Sequence, residues 1–233
     1  MVAIIHYSNS RFNTVPDIHA AVSNFMELEA STIISDIVGP LIVEAGMERI
    51  IALTLVHSHF PVPNDGKLVN YGPVTTLWSS ANLQSCKDKV YPLKWQFVEE
   101  FAGITLYEFI YSEKQPAPLT PEVKGFLRVL GSVLVKHGLV SLIGVRLLGG
   151  DSSHLDYAEP PEVEVTTGEA SITLPGRLFQ SGREPEDIFV ETDWEFQATR
   201  EPQCSGTAVR RKRKTTCKIR AGEHRNFHQK TNL

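Results

Sequence analysis

The stretch "RIIALTLVHSHF", residues 49–60, decides how the chain folds. Ile51, Leu53 and Leu55 fall on one side of an extended segment together with His57 and His59. Ala52, Thr54 and Val56 fall on the other side with Ser58. A strand is therefore predicted, with both imidazoles oriented alike at its end, just before the breaks at Pro61 and Pro63. Such a pair is either half of a metal-ligand set, an acid/base pair, or the solvated end of a strand.

Upstream, Ile18, Ala21, Val22, Phe25, Met26, Leu28, Ile33, Ile34, Ile37, Val38 and Leu41 recur at three- and four-residue steps. They predict a helix that starts at Pro16-Asp17 and is ended or kinked by Gly39-Pro40, with a short turn stopping at Gly46. Downstream, "NDGKLVNYG" reads as a turn and a short strand, and "LKWQFVEEF" with "GITLYEFIYS" as a hairpin rich in aromatic and β-branched residues. Thr120-Pro121-Glu122 opens a helix that buries Val123, Phe126, Leu127, Leu130, Val133 and Leu134 and stops at Gly138. Three more strand segments follow: "LVSLIGVRLL", "EVEVTTGEASITLP" as a hairpin around Gly168, and "DIFVETDWEFQA". The fold class is α+β: a mainly antiparallel sheet with an N-terminal helix and a central Pro-led helix packed on it.

Three segments are expected: a flexible N-terminus over 1–15, one α+β domain over 16–199, and a basic Cys/His-containing tail over 200–233. With 233 residues the chain can bury a substantial core. Its three cysteines are too few and too scattered for a disulfide framework, which points to a reducing compartment. The opening residues lack the basic and apolar regions of a secretory leader, and apolar runs such as "LVSLIGVRLLGG" are interrupted, here by Arg146, well short of a membrane span. No membrane association is expected, and the location is read as cytoplasmic, nuclear or both.

The net charge of −4 hides an asymmetry, with ten Lys/Arg against two Glu in residues 200–233 and an acidic body before them. Within that tail Cys204, Cys217, His224 and His228 form the other half of a conceivable ligand set, and two thiolates with two imidazoles suit zinc. The cysteines are too far apart for the common zinc finger, so the tail is either disordered or organised by metal. The block Arg210, Arg211, Lys212, Arg213 and Lys214 fits a nuclear-import signal or a polyanion contact. No aromatic residues interleave it to stack on bases, so nucleic-acid binding is weakly supported.

Catalytic signatures are sparse. The chain has no G-x-S-x-G elbow, no phosphate-cradling P-loop and no dinucleotide fingerprint. Glu99, Glu100 and Glu108 read as the solvated face of a hairpin, and the loop around His154 and Asp156 as turns. Trp78, Trp95 and Trp194 read as core or cleft aromatics, and Cys86 as a thiol without an activating histidine nearby in sequence.

"LVHSHFPVPNDGKLVNYGPVTTLW", the hairpin "LKWQFVEEFAGITLYEF" and "HGLVSLIGVRLL" together resemble a family of uncharacterised filamentous-fungal proteins. The shared features are a His-x-His-Phe strand end, a Trp/Tyr-Glu-Phe hairpin and a Cys/His-bearing tail, over roughly residues 45–230, with Ser58 and Leu77 departing from the pattern. The resemblance implies that His57, His59 and the tail Cys/His are used together, and it implies no activity. The expectation is a soluble, non-enzymatic binding protein with an unidentified protein partner. A small metal-dependent or acid/base enzyme using His57 and His59, and a nuclear accessory protein contacting nucleic acid through its tail, are the alternatives.

Overall fold

The structure, a computed structural model, describes residues 2–98, 103–116, 118–148, 162–167, 170–175, 187–200 and 207–220. It is α+β, as the periodicities require.

Of the N-terminal segment, expected to be flexible, residues 2–15 carry two ordered elements. Strand β1 (Ile4–Ile5) pairs in parallel with a later strand at Ile104 and Thr105, and helix α1 (Asn9–Phe12) buries Phe12. The signal is short because β1 has only two residues and depends on a partner about a hundred positions away.

Helix α2 (Ile18–Glu27) begins where Asp17 caps it, its carboxylate accepting from the Ala20 N–H at 2.9 Å. The predicted long helix is instead broken at Glu29, whose backbone is left-handed at φ 50°. It resumes as α3 (Ala30–Ile33), a π turn (Ile34–Val38) and α4 (Gly39–Glu44). Pro40 does not end the helix. The π turn widens the coil immediately before it, with the Gly39 N–H donating to Ile34 C=O, and so makes room for a proline ring that would otherwise crowd a carbonyl. Gly39 is also a close approach: a Cβ there would stand 2.6 Å from the Phe196 ring.

The remaining elements are β2 (Ile51–Leu55), β3 (Lys67–Tyr71), β4 (Val74–Trp78), α5 (Ser80–Ser85), β5 (Val90–Phe97), β6 (Ile104–Tyr111), α6 (Pro121–Lys136), β7 (Ile143–Leu147), β8 (Glu162–Thr167), β9 (Ala170–Pro175), β10 (Asp187–Arg200) and β11 (Thr207–Arg220). The sheet order is β1-β6-β3-β4-β9-β8-β11-β10-β2-β7-β5, and β5 pairs with β6. The sheet therefore closes on itself, with β1 as a branch on β6. Its pairs are antiparallel except β1–β6, β3–β6 and β8–β11. Residues 207–220 thus add a strand to the sheet, so the folded body extends past the boundary predicted near residue 199.

Alternation along the strands separates two environments. Ile51, Leu53, Leu55, Trp95, Val145, Trp194 and Phe196 join one apolar cluster with helix residues such as Ile18, Ile34, Ile42, Leu127, Leu130 and Leu134. Each such side chain contributes about 1.5–3 kcal/mol through burial. Thr120 caps α6 through the Val123 N–H, as its sequence predicts. The opposite strand face points into the closed sheet and carries charge. Lys94 lies beside Arg146 in register; Glu108, Arg146 and Asp193 are buried, and the Lys94 side chain is only 12% exposed. Glu108 is accordingly not on a solvated face.

Candidate metal centre

Strand β2 stops at Leu55, shorter than predicted, because the chain leaves the sheet there and Ser58 forms an isolated bridge with Asp17. The two imidazoles still meet, with ring centroids 4.6 Å apart and planes at 74°. Both are buried, not solvated. They are held against β8, although β11 and β10 lie between β2 and β8 in the sheet, so this contact crosses the inside of the closure.

The backbone of His57 is bracketed by one phenol. Tyr107 Oη accepts from the His57 N–H at 3.2 Å and donates to the His57 carbonyl. Burial raises the Tyr107 pKa well above its ordinary value, so the phenol keeps its proton. The His57 ring Nδ1 lies 2.9 Å from Leu55 C=O; a carbonyl can only accept, so Nδ1 carries the hydrogen and Nε2 the lone pair. Burial, assisted by His59, lowers the His57 pKa to about 3, which makes it a neutral imidazole.

His59 is held on both sides. Its Nδ1 is 2.8 Å from Thr166 Oγ1, and its Nε2 is 3.3 Å from Glu164 Oε1. Ser171 Oγ donates to the same carboxylate oxygen at 2.7 Å and lies 3.3 Å from Thr166 Oγ1. Burial opposes the charge on Glu164, but His59 and Lys94 outweigh it and hold the carboxyl well below its usual range. A carboxylate oxygen facing a ring nitrogen at this distance requires a proton or a metal ion between them, since two lone pairs would repel.

Among the described residues, His57, His59 and Glu164 offer ligand atoms that all lie within 4.8 Å of one another. A tetrahedral site with bonds of about 2.1 Å separates its ligands by roughly 3.4 Å, so side-chain adjustments of about an ångström would close the set. This buried group could hold a metal. It also has the support that ligating histidines usually have, with the second nitrogen bonded to a carbonyl for His57 and to a hydroxyl for His59.

Fixed charges surround the triad. Lys94 Nζ lies 3.1 and 3.2 Å from the Glu108 carboxylate oxygens, and Asn70 donates to that carboxylate at 3.0 Å. Burial disfavours the Lys94 charge, yet Glu108, Asp193 and Glu164 together overcome this and raise its pKa. Arg146 donates to Glu195 at 3.0 Å and has its Nε 3.7 Å from Asp193. A depression of about 450 Å³ elsewhere, lined by Lys67, Lys87, Asp65 and Phe109 among others, includes none of the triad.

Of the residues singled out in the sequence, the structure brings His57 and His59 together and supplies Glu164 from β8 as their companion. Cys217 lies on β11 with its backbone in register with Glu164. Cys204, His224, His228, His154, Asp156, Glu99 and Glu100 lie outside the described residues. Arg210 to Lys214 belong to β11, where Arg210, Arg211, Lys212 and Arg213 pair in register with Gln197, Phe196, Glu195 and Trp194 of β10. Cys86 is a free, half-buried thiol. Glu164 and Tyr107 escaped sequence reading. "EVEVTTG" shows Glu164 as an ordinary polar alternate of a hairpin, and only the closure of the sheet turns it toward the imidazoles.

Comparison with protein-family models, with curated proteins and with solved structures returned no match. Among the described residues no helix is long and apolar enough to cross a membrane.

Proposed function

We propose that this protein is a metal-dependent enzyme acting on a small molecule, with one zinc ion held by His57, His59 and Glu164. The observation that carries this reading is the convergence of two imidazoles and a carboxylate, from segments about a hundred residues apart, into one buried group. Three protein ligands leave a coordination position for water or substrate, which is the pattern of catalytic zinc sites; structural sites close with four. A bound ion would supply Lewis acidity and lower the pKa of bound water. The chain's own residues would set the ligand tautomers, through Leu55 and Thr166, and keep Glu164 ionised through Lys94. This reading displaces the expected non-enzymatic binding protein, because two imidazoles and an acid inside a closed sheet do more than a surface contact needs.

Metal analysis of the purified full chain tests it, with wild type compared against His57→Ala and Glu164→Gln. About one zinc per wild-type chain, lost in both variants, is expected. Ferrous iron in the same stoichiometry would keep the site and change the ion, since two histidines and a carboxylate also suit iron. Wild-type protein that binds neither ion after reconstitution refutes the reading. In that case the direct His59–Glu164 contact, with Ser171 donating to the same carboxylate oxygen, remains as a metal-free acid/base pair.

A further inference from the structure

The inner wall carries a second set of polar atoms, on strands β7 and β10. Arg146 is only 3% exposed and Asp193 only 6%. Arg146 spends one terminal nitrogen on Glu195, but its Nε has no hydrogen-bond partner, and neither has Asp193 Oδ1. The two side chains are salt-bridged only loosely, with Nε 3.7 Å from Asp193 Oδ2, too long for a hydrogen bond. A buried donor and a buried acceptor left unmatched side by side cost stability unless something joins them.

The group that joins them must accept from a guanidinium and donate to a carboxylate. A hydroxyl, of a ligand or of water, does both; a carboxylate or phosphate cannot donate, and an ammonium cannot accept.

The wall has further hydroxyl-reading groups. Thr54 stands opposite Asp193 in register, and Gln96 on β5 is buried beside Gly144. Position 193 is also near the triad. Thr54 precedes His57 by three residues, roughly 10 Å along an extended chain, and Lys94 feels both Asp193 and Glu164.

We infer that Arg146 and Asp193 form a hydroxyl-reading subsite, and that the ligand of this protein is a polyhydroxylated small molecule. One of its oxygens would reach the metal while another hydroxyl bridges Arg146 Nε and Asp193 Oδ1. This inference builds on the metal reading but is tested apart from it.

Saturation-transfer NMR on the zinc-loaded full chain, with myo-inositol and D-glucose as probes and 1,6-hexanediol as control, is the test. A site built around a hydroxyl discriminates strongly against compounds that lack it. At least one of the two polyols is expected to bind about tenfold or more tighter than the diol. Arg146→Lys, which keeps the charge and removes the Nε–H, and Asp193→Asn should each weaken that binding about tenfold while leaving zinc content unchanged. Equal binding of diol and polyols overturns the inference, even if neither variant folds. So does polyol binding that survives in both folded variants. A wild-type chain that holds no metal but binds polyol through Asp193 would refute the metal reading and uphold the subsite. Zinc bound without any preference for polyols would do the reverse.

Discussion

Removing the Lys94 ammonium by Lys94→Met should destabilise the protein more than removing its partner's charge by Glu108→Gln. The side chains of Lys94 and Glu108 are 12% and 3% exposed and 3.1 Å apart, so neither charge can be rehydrated in place when the other is lost. Breaking such a pair costs about 3–5 kcal/mol, against about 0–1 kcal/mol for a solvated one. The two halves differ because of what stays behind. After Glu108→Gln, Lys94 still feels Asp193 and Glu164. After Lys94→Met, Glu108 stays buried without its ammonium, and Asp193 and Glu164 lose that charge as well. The lysine variant is therefore expected at the upper end of that range and the glutamate variant at the lower. The double variant Lys94→Met with Glu108→Leu should recover much of the loss, because a packed apolar pair removes both desolvation penalties. Urea unfolding of all four chains, with the slope checked for constancy, measures each loss and the recovery. Saturating zinc should also stabilise Lys94→Met, by about 2.7 kcal/mol at a hundredfold excess over its dissociation constant. Single variants that each cost under about 1 kcal/mol would refute the reasoning, since that is how a solvated pair behaves.

Acid should weaken the metal-free protein from near neutrality downward. The folded His57 pKa of about 3 lies below its ordinary 6.5, so the unfolded chain binds more protons between those values. The stability that neutral His57 contributes is whole above pH 6.5 and declines below it, and the folding constant drops about tenfold per pH unit for this one proton. Glu164, also depressed, adds a further decline only below its ordinary 4.5. His57→Gln should flatten the slope between pH 6.5 and 4.5 in chemical unfolding followed across pH. Trp194 is fully buried, stacks on Phe25 at 5.3 Å and donates to Glu191 at 2.8 Å, so Trp194→Ala should cost about 3–5 kcal/mol in the same assay. Tyr107→Phe removes both bonds that bracket the His57 backbone, and it should weaken zinc binding about 10–100-fold in a chelator competition while the far-ultraviolet circular dichroism is unchanged.

Local physics wrote much of this fold into the sequence. The Thr120 cap with Pro121 starts α6, the alternation in "LKWQFVEEF" and "GITLYEF" makes the β5–β6 pair, and the paired strands flanking Gly168 are β8 and β9. Each depends on neighbours a few residues away, which is why pattern and capping sufficed. The adjacency of His57 and His59 was equally legible, because a two-residue spacing survives the early end of the strand.

Long-range pairing decided the rest. Strand β1 exists only because β6 offers an edge, and the basic segment 207–220, without apolar alternation, became a strand only by pairing with β10 and β8. The charge of Glu108 and Glu164 was plain in the sequence, but an alternating polar residue in a hairpin faces water only while the sheet stays open. Closing the sheet through β5 and β6 turned that face inward and set carboxylates, Lys94 and Arg146 around two imidazoles. Residue identity thus determined which side chains can ligate or carry charge. Closure of the sheet determined which of them meet, because it alone brings β8 across to the end of β2.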